Sequence, residues 1–168
     1  MASPPRCDAC EIAAQTIDNI EEHPDGLIIT IRRSKGDQHG HGHRLGLPHG
    51  TNPDTCPTRT LQTWRQAADL DPGPLFRPVD RHSHIGARHL SGRGIAEIIK
   101  RRVNLAGLDP ARYSGHSLRA GFATSAAATG ATETAIARQT RHRSMTVLRG
   151  YIREGGLFRT NAATTIGL

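Results

Sequence analysis

Four residues in the C-terminal half of this 168-residue chain could act together on a phosphodiester. His116 and Arg119 stand in Gly-His-Ser-Leu-Arg-Ala-Gly-Phe-Ala-Thr, three residues apart, a spacing that puts both on one face at the start of a helix. Such an end offers free N–H groups and the positive pole of the helix dipole, which suits a phosphate. His142 follows Arg119 by 23 residues, in Arg-His-Arg-Ser-Met-Thr-Val-Leu-Arg-Gly-Tyr, and Tyr151 follows His142 by nine. Phosphoryl transfer needs a nucleophile, positive donors for the non-bridging oxygens and an acid for the leaving oxygen. Tyr151 would be the nucleophile, Arg119 and the two histidines the positive cradle, and Lys35 the acid. Of the 22 basic residues only Lys35 and Lys100 are lysines, and the arginines do not give up a proton.

Each residue also has a plainer reading. Tyr151 could be an amphipathic core residue beside Met145, Leu148 and Ile152, and His116 a helix cap. Arg119 could be an ion-pair partner, although no acid stands three or four residues from it. Lys35 could be an ordinary surface lysine of a hairpin. Tyr113, the other tyrosine, lies ahead of His116 in a Pro-containing loop.

The elements that must position these residues can be sketched from periodicity. A short helix is expected over 11–20 and a turn at Pro24-Asp25-Gly26. A β-branched strand over 27–32, a Gly-rich loop and a returning strand over 44–48 make a hairpin. A helix fits 58–68. Ser91 caps another, with Ile95, Ile98, Ile99 and Val103 as its apolar points, ended by Gly107 and Pro110. Helices then fit 117–129, 133–140 behind a Thr132 cap, and 144–152, with Gly155-Gly156 as a break and a weakly helical tail after it. The expected class is α+β, mainly α: a small N-terminal β-hairpin or sheet followed by a helical bundle.

Charge divides along the chain in the same way. Residues 1–80 carry 8 basic and 11 acidic side chains, and residues 81–168 carry 14 and 4, a net +10 in the helical half. That is the electrostatic footprint of a polyanion partner, with nucleic acid foremost, although a merely soluble basic surface would look the same. Six aromatics in all argue against base-stacking platforms. The longest apolar run, 27–31, is far too short to span a bilayer, and the first residues lack an apolar signal core, so a cytoplasmic protein is expected.

Gly-His-Ser-Leu-Arg-Ala-Gly-Phe-Ala-Thr, then Arg-His-Arg-Ser-Met-Thr-Val-Leu-Arg-Gly-Tyr-Ile-Arg, resembles the catalytic domain of the tyrosine recombinases, the phage-integrase family. The upstream Thr-Ile-Arg-Arg-Ser-Lys-Gly-Asp-Gln looks like the family hairpin that presents a catalytic lysine, and the resemblance runs from about residue 11 to 168. It implies DNA integration or site-specific recombination. Tyr151 would attack the scissile phosphate, leaving a 3′-phosphotyrosyl link and a free 5′-hydroxyl. Lys35 would protonate that hydroxyl, and Arg119 would bind the non-bridging oxygens. His116 would assist proton transfer from the tyrosine, and His142 would hydrogen-bond the phosphate. The implied partners are double-stranded DNA and further copies of the chain assembled on it, in the bacterial cytoplasm. Neither membrane, nucleotide cofactor nor metal is implied, because the covalent link conserves the energy.

The chain departs from the family pattern in three places. The first arginine of the family falls at Asp8, and a carboxylate about 4 Å from a phosphate would repel it by several kcal/mol at an effective dielectric near 20. Arg6, two positions away, stands roughly 200° around a helix and could substitute only if that segment is not helical. Arg141 stands where the family usually has Gly before the histidine. The family's N-terminal core-binding domain has no counterpart in the sequence, so residues 1–10 read as disordered or foreign and 11–168 as a partial, N-terminally truncated catalytic domain, weakly active or inactive. Two alternatives follow: a DNA-binding remnant without turnover, and a small metal-binding protein using His39-Gly-His41-Gly-His43 with Cys7 and Cys10.

Binding to duplex DNA is expected to be non-specific and salt-dependent. If about five cations of the basic half reach phosphates, log K falls with log[salt] at a slope of about −4 to −5. A titration by fluorescence anisotropy at several salt concentrations measures it, and a slope near zero removes nucleic acid as the partner.

Overall fold

The computed structural model of the chain describes residues 8–32, 42–70, 72–142, 144–158 and 162–166. They form two compact units, residues 1–112 and 113–168.

The first unit opens with α1 (Asp8–Ala13), which starts three residues before the expected helix and ends well short of residue 20. Its Ala9 and Ala13 pack on Ile95, with Ile12, Leu90 and Ile99 around them. A single 3-10 turn, Ile17–Asn19, leads into β1 (Ile20–His23), a strand the sequence did not suggest. Pairing overrides the helical pattern there. The Ile17 N–H donates to the Gly73 carbonyl at 2.9 Å, and Ile20 lies opposite Ile29 of β2 (Gly26–Ile31). β3 (His43–Pro48) completes a three-stranded antiparallel sheet in the order β1-β2-β3, with Ile31 opposite His43. Gly26 is required where it stands. Its φ is +149°, and a Cβ there would lie 2.2 Å from the Leu47 carbonyl oxygen.

Helix α2 (Pro57–Ala67) follows, and Trp64 on it donates to the Leu75 carbonyl at 2.8 Å. That bond holds a cluster of Ala68, Leu70 and Leu75 against Leu61, Ile17, Ile20 and Ile85. Helix α3 (Gly92–Leu105) begins where expected, its Ser91 hydroxyl accepting from the Gly94 N–H at 3.0 Å.

The second unit consists of α4 (Gly115–Ala128), α5 (Glu133–Thr140), α6 (Met145–Gly155) and a short α7 (Ala162–Thr165). Its core is Ala123, Ala127, Ile136 and Leu148, all buried, with Tyr151 and Ile152 packed partly against them. The cap expected at Thr132 is in place, its hydroxyl accepting from the Ala135 N–H at 3.2 Å, while Ser144, expected as the first helical residue, caps α6 instead and accepts from the Val147 N–H at 3.3 Å. Helix α6 runs three residues past Ile152 before it stops. The mainly α class with a small sheet therefore holds, with one strand more than the hairpin. Among the described residues no helix is long and apolar enough to cross a membrane.

Arg141 ends α5 in the left-handed conformation, φ 53° and ψ 42°, with its N–H donating to the Ala137 carbonyl at 2.8 Å. A Cβ is costly there, which is why glycine suits this place. Arg141→Gly is expected to raise stability by about 0.5–1 kcal/mol, the backbone strain relieved outweighing the added freedom of the unfolded chain. Urea denaturation followed by circular dichroism reads this, and an unchanged or lower midpoint contradicts it.

Candidate active site

The second unit brings together four of the five residues picked out from sequence. His116 and Arg119 ride on the first turns of α4. Their entry is set by the Ser114 N–H, which donates to the Ser117 hydroxyl at 2.9 Å. His142 sits in the turn between α5 and α6, which the left-handed Arg141 reverses so sharply that the ring folds back on the end of α5. There Nδ1 of His142 is 2.6 Å from the Thr140 hydroxyl. Tyr151 lies two turns into α6, half-buried, with its ring centroid 5.8 Å from that of His142 and tilted 57° to it. Its phenolic oxygen is 3.5 Å from Nε2 of His116, a long contact, close enough for a proton to pass with a small approach of either ring. Arg119 is half-buried, and its guanidinium donates to the main-chain carbonyl of Thr140. One phenol, two imidazoles and one guanidinium thus converge from two helices and the turn between α5 and α6.

Two contacts fix α6. Arg149 on its outer face meets Glu133 at the start of α5, Nη2 to carboxylate 3.1 Å, and those hydrogen bonds hold Arg149 more firmly protonated. One turn after Tyr151, Gly155 touches α4 so closely that a Cβ would lie 2.2 Å from the Thr124 carbonyl oxygen. The unit carries seven arginines against two glutamates, so its field favours an anion.

Lys35, Arg6 and, of the possible metal ligands, Cys7, His39 and His41 lie outside the described residues. His43 opens β3, and among the described residues no group of three or more potential ligands stands together. Asp8 is the first residue of α1, where a carboxylate suits the positive pole of the helix. The sequence reading missed Thr140. Its only signal was a hydroxyl two residues before His142, and nothing in spacing shows that both its hydroxyl and its carbonyl face the site.

No family model matches the chain. Among curated proteins it is 43% identical over 139 residues to an integrase/recombinase xerD homolog of Selenomonas ruminantium, a tyrosine recombinase. The chain belongs to the tyrosine recombinase family. The aligned stretch is 83% of this chain and 41% of the relative, so the chain spans about two fifths of the length of the curated protein it matches.

Glycines 150 and 155 of helix α6 make opposite predictions. A Cβ at Gly150 meets nothing within 4 Å, so Gly150→Ala is expected to stabilise by up to about 1 kcal/mol through helix propensity. Gly155→Ala must push α6 off α4 and is expected to destabilise by about 1–3 kcal/mol. Parallel denaturant melts of the two variants check both signs.

Proposed function

We propose that the chain breaks and rejoins duplex DNA in site-specific recombination, with Tyr151 as the nucleophile. The phenolic oxygen forms a bond to the scissile phosphorus and the 5′-oxygen leaves, which gives a 3′-phosphotyrosyl link. Its proton goes toward His116. Arg119 and His142 face the non-bridging oxygens, and Lys35 protonates the leaving 5′-oxygen, which becomes a free hydroxyl. A second strand's 5′-hydroxyl then attacks the link and restores both tyrosine and phosphodiester, so no nucleotide is spent. The observation that carries this reading is the Tyr151 hydroxyl beside Nε2 of His116, in the same unit as Arg119 and His142. The similarity to a curated integrase/recombinase supports DNA as the substrate. Several copies acting together on DNA in the bacterial cytoplasm are proposed on the family resemblance.

Asp8 favours a second reading, a module that binds DNA and turns over slowly or not at all. It heads α1 in the place where the family carries its first arginine. Loss of one preorganised cation or donor typically costs about 10²–10³ in rate.

Both readings meet in one experiment. A nicked duplex with a suicide scissile site is incubated with the protein and resolved on a denaturing gel. A slow covalent adduct is expected from the chain as it stands, none from Tyr151→Phe, and a rate about 10²-fold higher from Asp8→Arg. No adduct from either the wild type or Asp8→Arg, with DNA still bound, leaves the module without turnover.

A further inference from the structure

The Thr140 hydroxyl stands between two partners and has one proton. It donates to the Ile136 carbonyl at 2.7 Å, one turn back in α5. The same oxygen is 2.6 Å from Nδ1 of His142. With its proton on Ile136, it can only accept there, so Nδ1 must carry a hydrogen. Thr140 is 6% exposed, which shields this chain of bonds from water. The carbonyl of the same residue accepts from the Arg119 guanidinium. One buried residue thus touches both groups that face a phosphate in the proposed reaction.

We propose that Thr140 is a positioning residue of the active site: its hydroxyl fixes His142 as the Nδ1–H tautomer and its carbonyl aims Arg119. The tautomer has a chemical consequence, which rests on the catalytic reading above. A neutral His142 of this form presents Nε2 as a lone pair. It can take a proton from substrate or tyrosine, but it can donate to a phosphate oxygen only as the imidazolium.

Long-range ¹H–¹⁵N correlation spectra of the ¹⁵N-labelled chain, at a pH where the ring is neutral, read the tautomer directly. The wild type is expected to show a protonated Nδ1 and a bare Nε2 for His142, assigned by its loss in His142→Gln. Thr140→Val keeps shape and removes the acceptor, so Nδ1 should lose its proton to Nε2, whereas Thr140→Ser should keep the wild-type pattern. A protonated Nε2 in the wild type overturns the proposal, and so does a tautomer unmoved by Thr140→Val. If Thr140→Val fails to fold, the wild-type and Thr140→Ser spectra still decide. With the suicide duplex, Thr140→Val is expected to slow adduct formation roughly tenfold, with Thr140→Ser restoring it, as for other partners that orient a working histidine. An unchanged rate in Thr140→Val removes the positioning role. No adduct from the wild type or from Asp8→Arg strikes the catalytic reading instead, and the spectra still report on Thr140.

Discussion

Helix α6 can lie against α4 only because residue 155 has no side chain to meet the Thr124 carbonyl. The contact between Tyr151 on α6 and His116 on α4 depends on that approach. The residues of α4 and α6 that meet there are small, Ala123 and Ala127 on one side and Gly155 on the other, with Leu148 filling the space toward Ile136 of α5. Close-packed helices of this kind have little room to slide, because interiors are dense and any added methylene is felt. Tyr151 therefore inherits its position from a backbone contact one turn away. The Arg149–Glu133 pair acts on the opposite, solvent side of α6, where it resists rotation of the helix more than it adds stability.

The turn at Arg141 is the second constraint, and it works by direction rather than distance. A helix that stops in the left-handed conformation sends the chain back across its own last turn. His142 is delivered onto Thr140 by that reversal, and Ser144 then caps α6 almost at once. The result is an imidazole held by the end of one helix immediately before the helix that carries the nucleophile. Few residues are spent between them, so little conformational entropy has to be lost to bring them together.

Much of this was legible in the sequence, for identifiable reasons. Ser91 and Thr132 were read as caps because each precedes an apolar period it could start, and each hydroxyl does accept from the expected first turn. His116 and Arg119 were paired by spacing, since three apart on a helix means one face, whereas His142 and Tyr151 joined them through the chemistry and the resemblance to the recombinase motifs. β1 was not legible. Ile20-Glu21-Glu22-His23 has no strand signature of its own, and it is extended because β2 lies beside it, with Glu21 meeting Arg44 across the sheet at 2.9 Å. Thr140 escaped for a related reason: its role comes from a backbone reversal in the following residue, which neither composition nor period encodes.

Arg119 has a second character that follows from the same contact. The last carbonyls of a helix have no partner within it, and Thr140 closes α5. The guanidinium that reaches this carbonyl therefore acts as a C-terminal cap as well, placing a cation at the negative pole of α5. Removal of the arginine would uncap one helix from the side of another and loosen the turn that presents His142. A variant at this position is thus a poor blank for the chemistry, since fold and reactivity would fail together. Tyr151→Phe, which leaves every backbone bond of the unit in place, is the cleaner one.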